Sequence, residues 1–159
     1  MSIEREAQIT AAIDAAELSD APQERPGAPT GWRDIVSTAM AVGIGGIVGA
    51  NVRWQVSEWS ARHWPSSFPW GTFLINISGS FVLGLYLTIA AERLVGRPLT
   101  RLFVATGVIG AYTTFSTFVY ESARLIEHGH AVTAAAYVAA SLAVGLSAAA
   151  AGIMAGRAR

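Results

Sequence analysis

GAYTTFSTF, residues 110–118, is the stretch whose reading decides the fold. It lies inside an apolar run long enough to cross a bilayer, yet it carries four aliphatic hydroxyls (Thr113, Thr114, Ser116, Thr117) and two phenylalanines. Glycine is conformationally loose and β-branched residues crowd the preceding helical turn, so Gly110, Thr113, Thr114 and Thr117 weaken helix propensity here. The pattern predicts a membrane helix broken near its middle. Backbone released from a helix inside a bilayer survives only where protein, a watery cavity or an ion takes up its hydrogen bonds. Phe115 and Phe118 are three residues apart and share a face. Aromatic ring edges are weakly positive, so two of them turned edge-on beside hydroxyl and amide donors make a site for a small, hard anion.

The surroundings support a membrane setting. Of 159 residues, 52% are hydrophobic and 14% charged, too apolar for an average soluble domain. A helix crossing the hydrocarbon core needs about 20 mostly apolar residues, and four segments qualify, at about 35–56, 71–91, 102–123 and 131–155. Trp32 and Trp54 flank the first span, and the connection WSARHWPSSFPW (59–70) follows it. Tryptophan favours the headgroup zone because its ring is apolar while its N–H needs a partner, so this connection is predicted to be interfacial. Lipid tails are as apolar as leucine, so close backbone approach has to drive helix association. Ala41, Gly45 and Gly49, Ser80 and Gly84, and Ser141, Gly145 and Ala149 recur every four residues and predict tight seams, including one against a second copy.

Charge and residue inventory exclude several function classes. Six of the eleven acids fall in residues 1–30, with Pro22, Pro26 and Pro29. That composition predicts a mobile N-terminal extension over 1–31, with a short amphipathic helix at 3–18 and no signal-peptide pattern, ahead of a four-helix transmembrane domain over 32–159. From residue 31 onward nine arginines face five acids without clustering, so no nucleic-acid partner is expected. The absence of cysteine removes disulfides, zinc–thiolate sites and thiol nucleophiles. His63, His128 and His130 all lie in connections, and no HExxH, phosphate loop or paired mid-span carboxylates occur, which argues against an enzyme. His128 and His130 could hold a metal only opportunistically. With the N-terminus cytoplasmic, Arg33, Arg93, Arg97, Arg101, Arg157 and Arg159 stand against Arg53, Arg62 and Arg124, a bias small enough to permit both orientations.

Polar groups within the spans need partners, because an unpaired one in hydrocarbon costs several kcal/mol, on the order of the transfer cost of a buried polar group. Thr72, Asn76 and Ser80 are spaced by four and share one face of the second span. Serine and threonine can bond back to their own helix, whereas an asparagine near mid-span is harder to satisfy. Tyr137 and Ser141 form a similar row in the fourth span, with Glu121 closing the third. A proton-coupled exporter of cationic compounds is the alternative function, but it wants a carboxylate at mid-depth, and Glu121 lies near a span end.

GGIVGANVR (45–53), GTFLINISGSFVLG (71–84) and GAYTTFSTFVYE (110–121) together resemble the Fluc/CrcB family of fluoride channels. The resemblance implies an all-α integral membrane protein with four transmembrane helices per subunit, assembled as an antiparallel, dual-topology homodimer in the bacterial inner membrane. It further implies two anion pores and a central, permanently bound sodium ion. On this sequence the sodium would be held by backbone carbonyls of Gly110 and Thr113. Asn76, Phe115 and Phe118 would line each pore, with Thr72, Ser116, Thr117, Tyr137 and Ser141 along the polar path and Glu121 near one end. Arg53 would have a structural or vestibule role. Ala111 departs from the pattern, since many members have a second glycine there.

Overall fold

The computed structural model describes residues 31–93 and 97–158. The extension expected over 1–31 therefore lies outside the described residues apart from Gly31, as do the amphipathic helix at 3–18, Arg159 and the Arg93 side chain. The described chain is all-helical. It comprises α1 (Trp32–His63), α2 (Trp70–Arg93), α3 (Pro98–Arg101), a π-helical segment (Leu102–Ile109), α4 (Gly110–Tyr112), α5 (Phe115–Glu127) and α6 (Ala131–Arg157). Four stretches, Trp32–His63, Trp70–Ala91, Pro98–Glu127 and Ala131–Arg157, are long and apolar enough to cross a membrane.

The first helix runs past the expected end at 56. With 32 residues it is about 48 Å long at the α-helical rise, well beyond a hydrocarbon core of about 30 Å. Trp59 to His63, expected in the connection, continue the helix instead. The first real breaker is Pro65, which pushes Trp64 out of the helical region, and the Trp64 N–H closes the end on the Ser60 carbonyl at 2.9 Å. The rings that follow pack on one another at this end: Trp59 on Trp64 (4.9 Å between centroids), Trp64 on Trp70 (6.0 Å) and Trp70 on Phe68 (4.6 Å).

Small residues set the crossings. The most extensive packing is between α2 and α6, followed by α1 against the π-helical segment. A Cβ on Gly45 would collide with the Phe103 carbonyl, and one on Gly49 with the Val108 carbonyl, so α1 reaches van der Waals contact with the third span only because both are glycine. On the other side a Cβ on Gly84 would sit 2.5 Å from the Ala149 carbonyl oxygen, and one on Gly152 would strike the Phe81 carbonyl. Gly145 meets only Ile77 Cδ1 at 3.6 Å, an ordinary contact. The close approach in the fourth span thus lies at Ala149 and Gly152: Ala149 belongs to the row read at Ser141, Gly145 and Ala149, while Gly145 makes only ordinary contact and Gly152 lies beyond that row.

Large apolar side chains point outward, as a bilayer permits: Ile47, Leu146 and Val132 are exposed. The interior is instead built from Ile75, Ala90, Ile109, Ala134 and Tyr137.

Candidate functional site

The site starts from backbone geometry in the third span. The π-helical segment ends with the Gly110 N–H on the Ala105 carbonyl, five residues back. After the short α4, Thr113 (φ −76°, ψ 157°) and Thr114 (φ −149°, ψ 121°) are extended, and α5 begins at Phe115. Thr114 caps that new helix: its Oγ1 accepts from the Thr117 N–H at 3.2 Å and donates to Thr117 Oγ1 at 3.0 Å.

Asn76 on α2 holds Thr114 from across the interface. Its Nδ2 donates to the Thr114 carbonyl at 2.9 Å, and its Oδ1 accepts from the Thr114 N–H at 2.9 Å. The amide side chain thereby does for Thr114 what a neighbouring strand would do. These bonds use one of the two Nδ2 hydrogens, and Asn76 also lines, with Ser80, Thr113 and Phe115 among others, a cavity of about 250 Å³. Two carbonyls are affected. A continuous helix would pair the Gly110 carbonyl with the Thr114 N–H and the Thr113 carbonyl with the Thr117 N–H. Those donors are spent on Asn76 and on Thr114 Oγ1.

From Thr114 a file of side chains leads along α5. Phe115 is 76% exposed, which leaves its ring uncommitted to the interior of this chain. It tilts against Phe118 with centroids 6.0 Å apart, and Phe118 in turn packs on Tyr137 at 5.1 Å. Tyr137 is fully buried, with Phe68 of the aromatic connection edge-on to its ring at 5.3 Å. Its hydroxyl donates to Glu121 Oε2 at 2.9 Å, while Thr72 Oγ1 donates to Glu121 Oε1 at 3.0 Å. Both carboxylate oxygens are therefore engaged by neutral donors. Beyond Glu121 lie two cavities that share it, of about 290 and about 420 Å³.

The structure thus brings together Thr72, Asn76, Phe115, Phe118, Thr117, Glu121 and Tyr137. Ser116 stands at the edge of the cap, its Oγ 3.4 Å from Thr114 Oγ1. Ser141, one turn along α6 from Tyr137, has a buried Oγ with no hydrogen-bond partner among the described residues. Such an atom is rare enough in a native interior to suggest water or an ion beside it. Arg53 lies half-buried on α1 and makes no hydrogen bond or ion pair with any of these groups among the described residues. Ser80 bonds back to the Asn76 carbonyl at 2.7 Å. Sequence reasoning missed two contacts. Ser78 Oγ lies 2.8 Å from Tyr112 Oη, and because the Ser78 hydroxyl donates to the Leu74 carbonyl at 2.7 Å, the tyrosine is the donor to serine. Phe68 was the other; only its place in an aromatic-rich connection signalled it.

Comparison with known proteins gives the chain a family. Residues 40–153 match the family model described as CrcB-like protein, Camphor Resistance (CrcB). A protein of Roseiflexus sp. (strain RS-1) named fluoride-specific ion channel FluC is 38% identical over 108 residues, covering 68% of this chain and 87% of the relative. The protein of the same name from Agrobacterium fabrum is 43% identical over 116 residues (73% and 93%), and that of Koribacter versatilis 52% over 89 residues (56% and 71%). The matched region takes in both small-residue crossings, the Asn76–Thr114 clamp and the aromatic file to Glu121, and this chain belongs to the CrcB family.

Proposed function

We propose that the protein is a fluoride-specific channel that lets fluoride leave the cell passively, and that its working form is an antiparallel homodimer in the bacterial inner membrane. The observation that carries this reading is the file Asn76, Phe115, Phe118, Tyr137 and Glu121, with Thr72 beside it, running between a cavity at Asn76 and Phe115 and cavities at Glu121. Fluoride is small and strongly hydrated, so a pore must replace its water with donors while still letting it go. The remaining Asn76 N–H, the hydroxyls of Ser116, Thr117 and Ser141, and the Phe115 and Phe118 edges are such donors, all neutral or weakly positive, while the Tyr137 hydroxyl beside them gives its hydrogen to Glu121. No arginine stands among them to trap the ion. Outward flow removes fluoride that entered as the neutral acid and ionised inside.

The Gly110 and Thr113 carbonyls fit a hard monovalent cation, because the donors a helix would give them are used elsewhere. In the dimer these two residues of each copy would hold the sodium ion, whose charge would tie the two breaks together. Phe115, largely exposed in one chain, would then face the pore shared with the second copy.

Liposomes containing the purified protein should lose fluoride rapidly and chloride hardly at all; equal rates would end the proposal. Phe115→Ile should leave a folded dimer with much reduced fluoride flux, since an exposed ring contributes little to stability. Unchanged flux would remove Phe115 from the path. The rival reading, a proton-coupled exporter of cationic compounds, would be favoured if transport followed a proton gradient and Glu121→Gln abolished it.

A further inference from the structure

The larger cavity at the Glu121 end, of about 420 Å³, has a lining that permeation past the phenylalanines does not use: Arg124, His128 and His130 with the hydroxyls of Ser66 and Ser67. Its histidines are placed by a built turn. Gly129 adopts the left-handed conformation (φ 79°), the Gly129 N–H bonds the Ile126 carbonyl at 3.0 Å, and the His130 N–H bonds the Leu125 carbonyl at 2.8 Å. This is a glycine-capped helix end of the Schellman type. It folds the chain back so that residues 128 and 130 line the same cavity, and it occupies carbonyls that would otherwise repel an anion at a helix C-terminus.

We propose that this cavity is an outer capture site for a small inorganic anion, and that His128 binds the anion only together with a proton. His128 Nδ1 lies 2.7 Å from the Arg124 carbonyl. A carbonyl only accepts, so Nδ1 carries the hydrogen, and Nε2 of the neutral ring is an acceptor unsuited to an anion. Once the ring is protonated, Nε2 becomes a donor while the bond to Arg124 is kept. Anion and proton then strengthen one another's binding by linkage. Arg124 supplies a permanent charge, and its exposed pair with Glu127 at 3.5 Å holds it weakly. The other ionisable groups facing the cavity are His130, Tyr120 and Glu121. Glu121 opposes an anion least when, as here, Thr72 and Tyr137 donate to both its oxygens.

This inference rests on the fluoride-channel reading, and single-channel recording in planar bilayers separates the two. With fluoride well below saturation, lowering both sides from about pH 8 to about pH 6, the range in which histidine changes charge, should raise the wild-type current. One unit charge some 6 Å from the ion in water gives about a threefold enrichment. At saturating fluoride the rise should vanish, because capture no longer limits flow. His128→Gln should remove most of the rise at limiting fluoride while keeping the saturated current, which also reports a folded channel. His130→Gln should remove less. A pH response that persists in the His128→Gln/His130→Gln double variant, or is equally large at saturation, overturns the capture site and leaves the channel reading intact. Absence of any fluoride current from the wild type overturns both.

Discussion

Replacing Asn76 with alanine tests the clamp directly. The substitution removes two hydrogen bonds, each 2.9 Å long, from the N–H and the carbonyl of Thr114, a residue only 9% exposed. Hydrogen bonds between membrane helices average only about 0.6 kcal/mol, because the released side chains find other partners. Here the released groups are backbone atoms of an extended residue: the Thr114 N–H has no helical partner, while the Thr114 carbonyl, at the N-cap of α5, keeps the first bond of that helix. Leaving the buried N–H unpaired costs about 1–3 kcal/mol and the bond lost from the carbonyl roughly 0.5–1.5 kcal/mol, so Asn76→Ala should destabilise the fold by about 1.5–4.5 kcal/mol. Asn76→Asp keeps the acceptor for the Thr114 N–H but sets an oxygen against the Thr114 carbonyl, so it should be no milder. Ser80→Ala is the control: its hydroxyl bonds only to its own helix, and the change should stay within about 0.5 kcal/mol. Reversible unfolding in mixed micelles, followed by tryptophan fluorescence, measures all three. An Asn76→Ala protein as stable as Ser80→Ala would refute the clamp.

The crossings and the carboxylate end give further outcomes. Gly152→Val should cost at least about 1–3 kcal/mol by overpacking against the Phe81 carbonyl. Gly43→Ala, with nothing within 4 Å of the added methyl, should be neutral or gain up to about 1 kcal/mol in the same unfolding assay. Tyr137→Phe keeps the ring packed between Phe68 and Phe118 but strips a donor from Glu121. A hydrogen bond to a carboxylate is worth about 1.5–3 kcal/mol, so stability should fall by about that amount and fluoride efflux from liposomes should slow. Glu121→Gln retains one acceptor oxygen and an amide able to donate to the second hydroxyl, so efflux should fall less than with Glu121→Ala; equal losses would mean that the hydrogen-bond triad is unimportant.

The spans were legible because length and apolarity are nearly all that a bilayer asks of a helix, and Gly45, Gly49 and Gly84 were legible because close approach leaves room only for hydrogen. Helix ends were harder. WSARH reads as interfacial by its tryptophan, yet nothing in it breaks a helix before Pro65. LFVATGVI carries no mark of π-helical turns, and nothing local in it announces that Gly45 and Gly49 of α1 pack against it. Asn76 announced itself as a polar group needing a partner at membrane depth, but a side-chain amide suits an ion and a backbone equally, and only the fold directs it to Thr114. Glu121 looked marginal at a span end; its bonds to Thr72 and Tyr137 link residues 49 and 16 positions away, which no local pattern encodes.

The clamp also bears on how the protein is made. Asn76 is translated and enters the bilayer ahead of Thr114, so the second span arrives carrying the groups that the third will need. Thr114 need not cross the hydrocarbon as unsatisfied backbone, nor wait for another subunit, before its extended conformation is met. Interchanging the order of these two spans in the gene, with every contact preserved, would present the open segment to lipid first and turn an ordinary insertion step into a barrier.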